Sequence, residues 1–188
     1  ERYVLLGGLL AGATLIKFFP ALLLPALIPW PARWRWPELQ ATFKMLTAFA
    51  LTVVAAYLPY VVWGAGVIGF LPLYFNEHFN LALGWPRATL ANVVTFGGLA
   101  VISLVFIWKP LPLGKNADTG RAVLVRCVWL IGWFTLTTQN LFPWYSLWLL
   151  PLIVILLEPG QFLGFKLSGT TAWLIFTGTV MLAYIFFV

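Results

Sequence analysis

The fold class this sequence predicts is an all-α, polytopic membrane helix bundle. It reads as a single transmembrane domain over residues 1–188, with about six transmembrane helices, some of them broken by proline. Three observations carry that reading. Of the 188 residues, 62% are apolar, and the mean hydropathy is +0.97. Only 9% are charged, where a soluble domain carries roughly a quarter. The apolar runs are long and do not alternate, which argues against a β-barrel. Helices remain, because a helix closes its backbone hydrogen bonds within one segment.

A span needs ~20 apolar residues to cross ~30 Å of hydrocarbon, which places six segments at about 4–29, 42–63, 91–108, 122–138, 142–157 and 170–188. The first carries Gly8 and Gly12 at GxxxG spacing, which serves either a close helix contact or ordinary glycine usage. Pro20, Pro25 and Pro29 follow Lys17, so the helix is expected to break just after the lysine. A basic-aromatic stretch, "PWPARWRWPELQATFK", leads into the second span and reads as a topology anchor, or as a patch for anionic headgroups. The third follows a long connector at about 64–90, flanked by Trp63 and Trp85 at headgroup depth. The fourth follows "GKNADTGR", which lacks the spacing of a phosphate-binding loop. It contains Cys127, the only cysteine, so no internal disulfide can form. The fifth is short, opens on Pro143-Trp144-Tyr145 and carries Pro151. Trp129, Trp133 and Trp173 do not fit an interfacial belt and are expected to pack between helices.

Lys and Arg asymmetry orients the bundle. With the N-terminus outside, Arg33, Arg35, Lys44, Lys109, Lys115, Arg121, Arg126 and Lys166 face inward, and Arg2 and Arg87 face outward. Both termini are then extracytoplasmic. The net charge of +6 is scattered over short loops, which argues against nucleic acid as a partner. The chain begins at Glu1 with apolar sequence following at once, as expected of a chain whose N-terminal part lies upstream.

Candidate chemistry gathers in three places. Lys17 lies roughly 20 Å into the first span at ~1.5 Å per residue. There an ammonium needs a partner or water, so it either holds an anionic group or snorkels. The 64–90 connector holds His78 beside Glu77, with Asn80 and Arg87 nearby. This mixture suits a sugar or phosphate, while a single His and Glu cannot form a protein-only metal site. Gln139 and Asn140 precede Trp144 and Tyr145, where proline opens a helix. The aromatic rings there set a rigid turn and offer flat faces to a sugar or lipid.

Three stretches carry a resemblance: "GGLLAGATLIKFFPALLLPALI", "YFNEHFNLAL" with "YLPY" upstream, and "NLFPWYSLWLLPL". In this order they are similar to the carboxy-terminal part of bacterial membrane glycosyltransferases of the GT-C superfamily. The closest likeness is to the polyprenyl-phosphate-sugar-dependent, mannosyltransferase-like groups, including the DUF2029 (GT87) type. The motif positions are Lys17 and Pro20; Tyr74, Phe79 and Asn80; and Pro143, Trp144, Tyr145, Trp148 and Pro151. The resemblance implies a bacterial inner-membrane enzyme with a lipid-linked sugar donor and an active site at the outer face. It implies no cofactor beyond a divalent metal held outside this chain. The family's catalytic carboxylate, in an early outward loop, has no counterpart, since the only Asp, Asp118, lies in an inward loop. Expected ligands are the lipid-linked donor and membrane lipids, contacted by Lys17, Arg87, His78, Asn80, Gln139, Asn140, Trp144 and Tyr145. The alternative is a non-catalytic membrane subunit or scaffold packed against other membrane subunits.

Overall fold

The structure, a computed structural model, describes residues 2–28, 36–63, 86–109, 118–138, 145, 147–156 and 169–187. Its elements are α1 (Arg2–Ile16), a 3-10 turn (Phe19–Leu23), α2 (Leu24–Leu27), α3 (Trp36–Trp63), α4 (Pro86–Trp108), α5 (Thr119–Thr137), α6 (Leu149–Leu156) and α7 (Gly169–Phe187). No strand occurs among the described residues. Three segments there have the length and apolarity to cross a membrane: Trp36–Val62, Leu90–Trp108 and Thr119–Thr137, with hydropathy 1.9, 2.3 and 1.3.

The expected first span is not one helix. α1 ends at Ile16, and the Lys17 amide closes its last bond to the Ala13 carbonyl at 3.1 Å. Proline explains the break. Pro20 has no amide to give the Ile16 carbonyl, and Pro25 has none for that of Ala21. The chain tightens instead into a 3-10 turn, with the Ala21 amide donating to the Phe18 carbonyl at 3.1 Å, and resumes as α2, each with proline near its start. α3 begins earlier than expected, at Trp36, and continues through Pro59. In the expected fifth span, α6 runs over Leu149–Leu156, and just before it the Trp148 amide donates to the Tyr145 carbonyl at 3.2 Å; residues 142–144, where that span is expected to open, lie outside the described residues.

α1 packs along α3, and α4 packs against α5. α5 is the hub, touching the 3-10 turn, α2, α4 and α6, and α7 packs on α6. Burial follows this order: 44% of the α5 span is buried, against 17% for α4 and 6% for α3. The outer helices thus keep apolar faces such as Leu51, Val54, Leu58, Val93 and Val101 exposed. Water would penalise so much exposed apolar surface, and a bilayer does not.

The hydroxyls agree with that solvent. Thr14, Thr52, Ser103 and Thr177 each donate to the carbonyl four residues back, at 2.7–2.9 Å. A polar group facing hydrocarbon must find such an internal acceptor.

One open alternative is narrowed and one sequence expectation needs correction. The close approach of α1 to α3 is at Gly7, where an added Cβ would strike the Met45 carbonyl. At Gly8 it would find Thr52 Oγ1 at 3.8 Å, and at Gly12 nothing within 4 Å, so GxxxG is not the contact. Trp133 and Trp173 do pack between helices, against Gly98 and Gly132. Trp129 does not: it is 53% exposed.

Candidate functional site: an apolar cavity under Lys17

The break after α1 brings Lys17 and Phe19 against α5 and the turn before α6. Phe19 sits at the centre of a ring cluster. Its ring centroid lies 5.0 Å from that of Phe134, 4.7 Å from Tyr145 and 4.4 Å from Trp148. Tyr145 and Trp148 are 5.2 Å apart. Edge-to-face and tilted pairs of this kind contribute about 0.5–1.5 kcal/mol each beyond the area they bury. The cluster therefore holds the broken segment and the α6 turn in fixed register. Tyr145 is buried within it.

Beside the cluster opens a cavity of about 380 Å³, within the ~300–1,000 Å³ common for small-ligand sites. Its walls are Phe19, Pro20, Leu22, Leu23, Ile131, Phe134, Trp148, Pro151 and Leu152, with Lys17 at one side. The Lys17 Nζ lies 5.2 Å from the centroid of the Trp148 ring, inside the ~6 Å reach of a cation–π contact. That contact uses the ring's quadrupole and leaves the ammonium's N–H donors to be satisfied elsewhere. Among the described residues the cavity offers them no carboxylate. The arrangement is one cation at the edge of an apolar slot, which suits an amphiphile with an anionic head.

The α4–α5 hairpin sets the level of this cavity. Thr95 Oγ donates to the Thr137 carbonyl at 2.9 Å, and Trp133 Nε1 to the Thr95 carbonyl at 3.1 Å. At the opposite end an Arg126 guanidinium N–H donates to the Lys109 carbonyl. The helices are therefore antiparallel, with Phe134 near one end and Arg126 toward the other. Arg87 lies in the first turn of α4, ~12 Å beyond Thr95 at 1.5 Å per residue. It belongs to the same end as the cavity.

Of the residues singled out from sequence, Lys17 and Tyr145 each lie against the motif residue Trp148, and Pro151 lines the cavity beside it. Arg87 is placed by its backbone alone. His78, Asn80, Gln139, Asn140 and Trp144 lie outside the described residues, as does Glu77. Sequence reasoning missed Phe19 and Phe134. Phe19 stands between Lys17 and Pro20, in a stretch already marked out. Phe134 carried no local signal, since only the packing of α5 turns it to the cavity. Among the described residues no group of three His, Cys, Asp or Glu side chains gathers.

No family model matches the chain, and neither the curated proteins nor the solved structures give a match.

Proposed function

We propose that the chain is the lipid-handling part of a membrane glycosyltransferase that moves a sugar from a polyprenyl-phosphate donor to an extracytoplasmic acceptor. In this reading all six apolar segments lie in a bacterial inner membrane, with both termini outside. The single observation that carries it is the convergence of Lys17 with Trp148 over an apolar cavity, from segments remote in sequence. A polyprenyl phosphate has the matching form: an anionic head on a branched apolar tail. Lys17 holds the phosphate, and Phe19, Phe134 and Leu152 pack against the first isoprene units. Arg87, at the same end, adds a second cation. As the sugar departs, negative charge grows on the phosphate, and fixed cations in a low-dielectric site stabilise it. The Trp148 ring at the cavity wall positions the sugar.

Activity of the complete protein tests this. Lys17→Ala with Arg87→Ala is expected to cut transfer at least tenfold, with a raised KM for the lipid donor and an unchanged unfolding temperature. Transfer at the wild-type rate would sink the assignment.

One observation favours a second reading, a non-catalytic membrane subunit. Asp118, the only Asp in the chain, caps the N-terminus of α5, ~24 Å along that helix from Phe134 at 1.5 Å per residue. Copurification with large partners at fixed stoichiometry and without turnover distinguishes this reading from the first.

A further inference from the structure

A second cavity, of about 470 Å³, lies at the other end of the α4–α5 hairpin. Lys109, Arg121 and Arg126 line it together with one carboxylate, Asp118. Among the described residues, three cations thus share the cavity with one carboxylate. The Asp118 Oδ1 accepts from the Arg121 backbone amide at 2.8 Å, capping α5.

Arg126 is the informative residue. It is only 7% exposed, although the Lys and Arg asymmetry counts it among the inward-facing charges. One guanidinium nitrogen, Nη2, donates to the Lys109 carbonyl just past α4, where helix carbonyls lack partners. The guanidinium carbon lies 5.0 Å from the centroid of the Phe106 ring. The other terminal nitrogen, Nη1, is buried and has no hydrogen-bond partner among the described residues. Helix capping accounts for Nη2 and for the charge. It does not account for Nη1, since a buried donor is normally satisfied. An anchor by positive charge needs only an exposed side chain and gives no reason to bury a nitrogen unpaired.

We propose that this cavity binds a phosphate group, carried by an anionic phospholipid or by a soluble phosphate ester. Guanidinium forks match phosphate oxygens two at a time, so an oxygen that enters beside Arg121 as the buried Arg126 side chain turns toward it supplies the acceptor that Nη1 lacks. Lys109 adds a point charge, and the first turn of α5 contributes its positive dipole end. The wall toward the middle of the hairpin is apolar, with Val105, Val125 and Trp129 exposed. It offers a surface along which an acyl chain can lie. This site is separate from the Lys17 cavity and does not depend on the function proposed for it.

The test uses the full chain, purified in detergent. Native mass spectrometry compares retention of phosphatidylglycerol with phosphatidylcholine, and thermal unfolding is followed with and without millimolar inorganic phosphate. Phosphatidylglycerol is expected to be retained at least tenfold over phosphatidylcholine. Lys109→Gln with Arg121→Gln, both at exposed positions, should abolish most of that preference without lowering the unfolding midpoint. Arg126→Lys keeps the charge, loses the fork, and should weaken retention severalfold. Lipid preference without a phosphate effect identifies a lipid site, and stabilisation by inorganic phosphate identifies a site for soluble esters. Equal retention of both lipids with no phosphate effect, or a double variant that behaves as wild type in both arms, overturns the proposal.

Discussion

At the scale of single residues, the account turns on groups whose surroundings differ from what their position in the chain implies. Lys17 sits where a helix ends, so its ammonium reaches a cavity edge and a Trp148 ring face. Arg126 reads as an inward-facing charge near the start of a span, yet its side chain is buried in α5. Gly7 and Gly12 look alike in sequence and differ in space, and this gives a direct check. Gly7→Ala pushes a methyl group into the Met45 backbone carbonyl and should cost about 1–3 kcal/mol, as overpacking does. Gly12→Ala meets open space and should be neutral or stabilise by up to ~1 kcal/mol through helix propensity. Thermal unfolding of the detergent-solubilised pair reads the difference. A greater loss at Gly12 would contradict the α1–α3 packing.

At the scale of elements, the joint between α4 and α5 sets the distance between the two cavities. The Thr95 hydroxyl lies 2.9 Å from both the Ala91 and Thr137 carbonyls, sharing one proton between its own helix and its neighbour. Thr95→Val removes the interhelical share and should cost about 0.6–1.7 kcal/mol, the range for such bonds in membranes. Trp133→Phe should cost more, because it removes the donor to the Thr95 carbonyl and also ring volume beside Gly98. Unfolding temperatures that rank these variants in the opposite order would count against the joint. This scale also shows how far sequence could be read. Helix identity was legible because apolar length is a local property: α4 and α5 lie within a few residues of their expected ends. The break at Lys17 was legible because proline removes amides at known positions. The packing before α6 was not, since Tyr145 and Trp148 meet the ring of Phe19, more than a hundred positions earlier. For the same reason Lys17 and Tyr145 could each be named as candidates, but their shared contact with Trp148 could not, and Phe134 left no trace.

At the scale of the whole molecule, the two cavities give the chain a polarity. One end of the α4–α5 hairpin has the aromatic cluster, Lys17 and Arg87, and the other has Lys109, Arg121 and Arg126. In the proposed orientation, which rests on the positive-inside asymmetry, the second end faces the cytoplasm and the first the outer leaflet, where a lipid-linked sugar would be met. α4 has 23 residues, or ~34 Å at 1.5 Å per residue, enough to separate the ends by a hydrocarbon core of ~30 Å. Both proposals depend on the hairpin standing across the bilayer. The measurement that reaches this most directly is labelling of single cysteines by a membrane-impermeant maleimide in sealed vesicles of known orientation. Cys127 is free and buried and would be replaced by serine as background. Ala88→Cys should react from the extracytoplasmic side only, and Gly120→Cys from the cytoplasmic side only; reaction of both from one compartment would contradict the account.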